Sequence, residues 1–386
     1  MDNIIKQVRN LGEGATDHLR LKLMTTLRDL SISLEKPNDT LERIVNTPLE
    51  LAEARIGSDL GIFKYLSSRD APVPLTTLAE ATGADPVLLG RLLRYLSSMK
   101  QIEEPDLEVF AANNVTHALA SPRGKNQVDL YFEVVYPSFM ELPRFLARVG
   151  YNNPTDVSKA ALQDALNWKG TMFTYYAAHP EQGEKFNKHM MFRREDERGW
   201  MDSKVFRIDK EAEGWPADKP IFVDVGGGLG HQPALLKASY PDLPGQVIVQ
   251  DLPEVIQDAL STPGVQNMAY NIFDPQPIQG AKFYYMRGVC HDFPDDKVNE
   301  ILGNIATAMG PNSLLLLDEM VLPDKNVSWQ ATAMDQLMMS TLGAQERTYS
   351  HWARLLRTVG LKIRYNISYG RNEYESLIVA VKLKIA

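Results

Sequence analysis

Residues 222–230 read FVDVGGGLG: Phe222, Val223, Asp224, Val225, Gly226, Gly227, Gly228, Leu229, Gly230. A short apolar run from Ile221 leads into glycines at 226, 228 and 230, and a helical pattern covers residues 232–240, with Pro233 tolerated in its first turn. Strand, glycine turn and helix in that order predict the opening unit of an α/β sheet, with a backbone that can approach a ligand closely. Working outward, residues 246–250, 281–286, 313–317, 361–368 and 376–381 predict further strands, and 254–260, 295–309 and 351–358 further helices. This alternation predicts a mainly parallel sheet covered on both faces, with ligands beyond the carboxyl ends of its strands.

The glycine turn also sorts its ligands. A dinucleotide fingerprint needs a third glycine three positions after the second; His231 or Pro233 stands there instead, which disfavours NAD. Asp224, near the end of the first strand, repels a pyrophosphate and attracts a cationic amino-acid group such as that of S-adenosylmethionine (SAM). Asp251, 21 residues past Gly230, ends the second strand, where a carboxylate can accept hydrogen bonds from ribose hydroxyls. A glycine-rich turn alone is a weak signal; the strand, the acid and the spacing together make it a strong one.

Before residue 215 the texture is helical. Helical spacing through residues 49–66, 75–82 and 87–99, then two short strand patterns at 101–104 and 109–112, predicts a winged-helix-like unit over about residues 40–120. Leu88, Leu89, Leu92, Leu93 and Leu96 predict a largely buried helix in the recognition position, leaving few basic side chains for DNA. Residues 1–38 predict a leading helical arm that packs on a second subunit. Residues 121–215 are crowded with aromatic and methionine side chains, Tyr136, Phe139, Phe186 and Met190 among them, which suits a wall for a flat aromatic acceptor as well as a core. Three segments follow: 1–120 for dimerisation, 121–215 for the substrate pocket, 216–386 for the cofactor.

The 386 residues are 44% hydrophobic and 23% charged, an ordinary globular composition that excludes collagen, coiled coil and disorder. With 41 basic against 49 acidic side chains, the net charge of -8 provides no overall field for nucleic acid or anionic lipid. One cysteine, Cys290, excludes an internal disulfide and a cysteine zinc cluster, so no metal is expected. No run of about 18 apolar residues occurs and the first residues lack a signal-peptide core, so a cytoplasmic protein is expected.

Five stretches in order, FVDVGGGLG (222–230), QDLPEVI (250–256), GAKFYYMRGVCHDFPDD (280–296), LLLDEMVLP (315–323) and GAQERT (343–348), resemble the class I O-methyltransferases typified by caffeic acid O-methyltransferase, the fungal branch above all. The resemblance implies SAM as cofactor, an α/β fold with a C-terminal Rossmann-like SAM-binding domain built on a mainly parallel seven-stranded sheet, a preceding, mostly helical, winged-helix-like dimerisation domain, and a homodimer. It further implies His291 as general base flanked by Glu319 and Glu346, since a phenol of pKa near 10 is a poor nucleophile until its proton is removed. Cofactor contacts carry over to Asp224, Gly226, Gly228, Gly230, Asp251, Asn271, Ile272, Phe273 and Arg287. Asn271 stands where an acid is usual and offers a carbonyl to the adenine amino group. Arg287 replaces a common lysine and Gly288 a bulky aromatic. Thr341 replaces a substrate-contacting asparagine of plant members, so the plant acceptor does not transfer; Met338 and Thr341 join the expected substrate contacts. The acceptor class is a phenolic or enolic hydroxyl of a small aromatic or polyketide-type secondary metabolite. The alternative is a fungal relative that keeps bound SAM as a charge for dehydration or pericyclic chemistry without methyl transfer.

Overall fold

The computed structural model describes residues 1–195, 199–369 and 374–383. The chain divides into two compact units, Met1–Pro143 with Leu162–Asp196, and Arg144–Ala161 with Glu197–Ala386. The segment 121–215 is therefore shared between them.

In the first unit, helices Asp2–Gly12 and Asp17–Ser33 form the leading arm. The pattern through 49–66 resolves into two helices, Pro37–Asp59 and Ile62–Ser67, because Gly61 takes a left-handed conformation at φ 71° that breaks the run. Helices Leu75–Thr82 and Pro86–Ser98 follow, the second capped by Asp85, whose carboxylate accepts the Leu88 N–H at 2.9 Å. Strands β1 (Val73–Pro74), β2 (Glu103–Asp106) and β3 (Val109–Ala111) form an antiparallel wing in the order β1-β3-β2. Leu89, Leu93 and Leu96 pack with Ile62, Phe63, Leu78 and Phe110. Leu88 departs from the expectation: it lies on the opposite face and is 48% exposed, since one helix stripe cannot bury adjacent positions equally. A π-helical turn, Tyr131–Val135, interrupts the helical run that follows.

The second unit carries β4 (Pro220–Val225), β5 (Gln246–Asp251), β6 (Val265–Ala269), β7 (Phe283–Arg287), β8 (Leu314–Leu322), β9 (Arg347–Thr348), β10 (Leu361–Ser368) and β11 (Glu375–Lys382). Seven strands run in the order β10-β11-β8-β7-β4-β5-β6, with the two-residue β9 paired to the end of β8. Strands β6, β5, β4, β7 and β8 are mutually parallel, whereas β11 is antiparallel to both β8 and β10. Alternation sorts the core: Phe283, Tyr285, Leu314 and Leu316 enter one apolar layer, Tyr284, Met286, Leu315 and Leu317 the other.

Besides the two-residue strands β1 and β9, one edge strand and one long helix escaped the sequence pattern. Edge strand β6 has the sequence VQNMA, mostly exposed, and so carries no apolar run to announce it. Helix Trp329–Leu342 mixes apolar and polar residues with no single stripe. The expected helix at 254–260 shortens to Pro253–Ile256, and β8 runs to Leu322 rather than stopping at 317. Among the described residues no helix is long and apolar enough to cross a membrane.

Phe222 of β4 stacks on Trp200 with ring centroids 6.2 Å apart and lies 5.3 Å from Tyr285, all fully buried. Phe222→Ala is expected to cost about 3–5 kcal/mol, the usual range for an emptied aromatic site, read from the urea unfolding midpoint of the variant.

Candidate functional site

The site of the second unit lies where parallel strands of different length end. Arg287, the last residue of β7, pairs with Asp318 of β8, so β8 overshoots its neighbour and Glu319 stands just past the end of that pairing. Glu319 therefore lies inside a strand, not after one. The chain leaving β7 turns back at Gly288, φ 56°, into the short turn Cys290–Asp292. Glu319 Oε1 accepts the N–H groups of Val289 at 3.2 Å and Cys290 at 2.9 Å, so it holds the backbone of this turn and not the imidazole.

The imidazole of His291 is held by Glu346, whose Oε1 lies 3.0 Å from Nδ1. Glu346 is set in turn by its own N–H, which donates to Asp335 Oδ1 at 2.9 Å. On the other side of the ring, Nε2 lies 3.6 Å from Asp292 Oδ1. Burial works against the imidazolium, but Glu346, Asp292 and Glu319 outweigh it and lift the His291 pKa to about 10. Burial also pushes Asp292 up to about 6 and Glu319 up to about 7, with His291 opposing both rises. In the protein without ligands the ring is thus an imidazolium at neutral pH, set among acids that resist ionising together.

The glycine loop touches this turn. A Cβ at Gly226 would meet Val289 at 2.9 Å, and one at Gly227 would meet the Asp224 carboxyl at 2.6 Å, so both positions are closed to larger residues. Four loop amides are used internally: Gly226 and Gly227 donate to Gln250 O, Gly230 to Gly227 O, and Gly228 to Asp251 Oδ2 at 2.7 Å. Those donors are not aimed at a phosphate. Acids dominate instead, with Asp224 buried at the end of β4 and Asp251 partly exposed at the end of β5, which suits a ligand bearing a positive charge and hydroxyls. The residues present therefore fit SAM.

The remaining expected contacts are distributed. Asn271 uses its carbonyl oxygen in its own turn, accepting Phe273 N–H at 3.1 Å, where the sequence suggested an adenine contact. Ile272 and Phe273 pack against the sheet's apolar layer, Phe273 edge-on to Phe293 at 5.4 Å. Arg287 Nε lies 3.5 Å from Asp318 Oδ2. Met338 and Thr341 are buried on helix Trp329–Leu342, and the Thr341 hydroxyl donates to Leu337 O at 2.7 Å. Tyr136, Phe139, Phe186 and Met190 belong to the first unit, where Phe186 stacks on Tyr176 at 4.6 Å. Sequence reasoning passed over Asp292, Asp335 and Arg347. Two of them sit inside quoted stretches, CHD and ERT, next to residues already singled out; Asp335 gave no signal.

Comparison with known proteins follows from this geometry. Residues 168–362 match the model of the O-methyltransferase domain family. O-methyltransferase ucdC of Aspergillus ustus is 49% identical over 99% of this chain and 100% of its own length. Two solved structures, described as a pericyclic reaction enzyme and as LepI in complex with SAM, are each 36% identical with TM-score 0.87, covering 99% of this chain and 98% of theirs.

The raised Glu319 carboxyl gives a stability test. A folded-state pKa of about 7 against 4.5 unfolded means the folded state keeps the proton longer, so stability present below pH 4.5 is lost as pH rises toward about 7. Glu319→Gln removes that loss: its melting temperature relative to the parent should rise between pH 5 and pH 8. A difference independent of pH would show that the carboxyl titrates normally.

Proposed function

We propose that this chain, which belongs to the fungal branch of the class I O-methyltransferases typified by caffeic acid O-methyltransferase, methylates a phenolic or enolic hydroxyl of a small aromatic or polyketide-type secondary metabolite. Membership places it in the SAM-dependent O-methyltransferase class. The observation that carries the finer reading is the 3.0 Å contact between His291 Nδ1 and Glu346, which fixes the tautomer and leaves Nε2 to face an acceptor.

His291 enters the reaction as the neutral imidazole, so it must first shed the proton that the acids around it favour. Nε2 then takes the hydroxyl proton of the acceptor as the new oxygen–methyl bond forms, and Glu346 stabilises the resulting imidazolium. Glu319 keeps the turn in place through its two amides. Asp251 and the glycine loop hold the cofactor's ribose, and Asp224 its amino-acid end. SAM, when bound, supplies the methyl group and departs as the neutral thioether. Met338 and Thr341, on helix Trp329–Leu342 of the same unit, serve the acceptor. In this reading residues 1–120 serve dimerisation, 121–215 the acceptor and 216–386 the cofactor, in a cytoplasmic homodimer.

A second reading has its own observation. An imidazole whose pKa is lifted to about 10 by neighbouring acids can donate a proton at neutral pH, and the solved structure described as a pericyclic reaction enzyme is 36% identical to this chain, covering 99% of this chain and 98% of its own. In this reading SAM stays intact and His291 of this chain donates a proton or a hydrogen bond to a leaving hydroxyl. Incubation with methyl-labelled SAM and a panel of phenols and hydroxypyridones separates the two. A gain of one methyl by mass spectrometry supports transfer, and rearranged or dehydrated substrate beside unchanged SAM supports the second reading.

If His291 is the base, His291→Ala should leave SAM affinity within a few-fold of the parent and slow methylation by about 10²–10⁴-fold. The loss should shrink for acceptors that are already ionised. In the parent, single-turnover rates should climb with pH as the imidazolium deprotonates, because a pKa raised to about 10 leaves little neutral base near pH 7. Equal rates for parent and variant between roughly pH 6 and 9, where imidazoles usually titrate, would remove His291 from the reaction.

The homodimer is tested separately. Ile4, Leu11, Met24, Leu30, Leu34 and Leu41 of the leading helices are all exposed in the single chain, more apolar surface than isolated helices leave to water. Light scattering should give twice the chain mass at micromolar concentration, and removal of residues 1–38 should lower it.

A further inference from the structure

Two carbonyl groups bracket the turn that carries His291, those of Cys290 and Phe293. One guanidinium reaches both: Arg347 Nη1 donates to Cys290 O at 2.8 Å and Nη2 to Phe293 O at 2.7 Å, while Nε donates to Asp295 Oδ1 at 2.9 Å. The side chain is wholly buried, with its guanidinium 5.5 Å from the centre of the Trp352 ring. Asp295 is itself shared, accepting from Gln345 Nε2 at 3.1 Å and lying 2.6 Å from His351 Nε2.

Taking a guanidinium out of water is costly, and a turn that needed only to fold could be held by apolar packing of similar volume. What a planar, three-point donor provides is geometry: it fixes the distance between two carbonyls and their tilt toward Asp295. The chain position of Arg347 adds to this. Its neighbour Glu346 holds the imidazole of His291, so consecutive residues entering β9 grip one turn, Glu346 by the ring and Arg347 by the backbone. Glu319 takes the same turn by its amides. Backbone and ring are thus referred to a single rigid segment, itself anchored by the register of Val321 with Arg347.

We infer that Arg347 is a positioning residue for the reaction: its grip on Cys290 O and Phe293 O sets the turn at the pitch where Glu346 reaches His291 Nδ1 and Nε2 faces the acceptor. The inference rests on the reading of His291 as the group that handles the acceptor's proton. Without the clamp Glu319 still holds the amides of Val289 and Cys290, but the carbonyl side of the turn loses its fixed pitch and Glu346 its aligned contact with Nδ1.

Arg347→Lys keeps the charge but has one ammonium, which cannot span both carbonyls and Asp295. Three readings decide the matter: kcat and KM for SAM under saturating acceptor, and the titration of the His291 Cε1–H followed by carbon-13 NMR. We expect kcat to fall by about 10–100-fold, the scale of a misplaced reacting group, with KM for SAM within about threefold. The His291 titration midpoint should move down as Glu346 loses the ring. A parental kcat overturns the proposal. So does a lowered kcat with an unmoved His291 titration, since that is what general loosening gives. If the lysine variant shows no cooperative melt, Asp295→Asn, which weakens the Nε contact along with those of Gln345 and His351 but leaves both carbonyl contacts of Arg347 in place, replaces it: a smaller downward shift is expected and no shift overturns. His291→Ala run in parallel separates the premise, because parental activity there sinks the base while leaving the NMR result to judge Arg347 alone.

Discussion

Glu319, Glu346 and Asp292 crowd one imidazole at the end of a sheet, and carboxylates this close repel one another unless positive charge stands between them. Burial is the main cause of the raised Glu319 and Asp292 carboxyls, with Glu346 adding to both, and the acids in turn hold the proton of His291: the cluster gathers protons because water is not there to screen its charge. Every nearby structural choice answers it. Strand β8 overshoots β7 so that one acid can face backbone amides rather than another acid. Asp335 takes the amide of Glu346, and Arg347 brings a buried cation to the carbonyl side of the same turn. The apolar layers on both faces of the sheet make these contacts expensive to break, since each partner left alone would be a buried charge.

The cofactor end follows a different economy. There the backbone of the glycine loop satisfies itself, with positive φ at residues 226, 228 and 230 bending the chain until its amides meet Gln250 and Asp251. The acids beside it, Asp251 partly exposed and Asp224 buried, suit a ligand of charge opposite to that favoured by a phosphate-binding turn of similar composition. The composition of such a loop does not reveal this; the direction of its N–H groups does.

How much of this was legible in the sequence varied with the physics involved. The sheet was, because buried parallel strands such as Pro220–Val225 and Phe283–Arg287 are mainly apolar runs with a glycine directly after them. Exposed β6 was not, since an edge strand with one wet face need not be apolar. His291, Glu346 and Asp251 stood out through their place in recognisable stretches. Asp335 and Arg347 did not, because a residue that acts by holding another's amide or carbonyl leaves no periodicity and no characteristic spacing. Glu319 was found for its charge, yet its contact with two backbone amides depends on one strand being longer than its neighbour, which no local pattern encodes. Leu88 showed the converse: five leucines in nine residues suggested full burial, and helical geometry turned one of them to water.

The chain passes between its two compact units three times, at 143/144, 161/162 and 196/197. Residues 144–161 are synthesised before the first unit is complete, yet their partners lie in sequence not made until after residue 196. No single cut therefore yields two whole pieces: a fragment ending near residue 196 carries an orphaned loop of the second unit, and one starting there lacks it. Exchange of this sheet unit between related chains would have to carry residues 144–161 along with the C-terminal half.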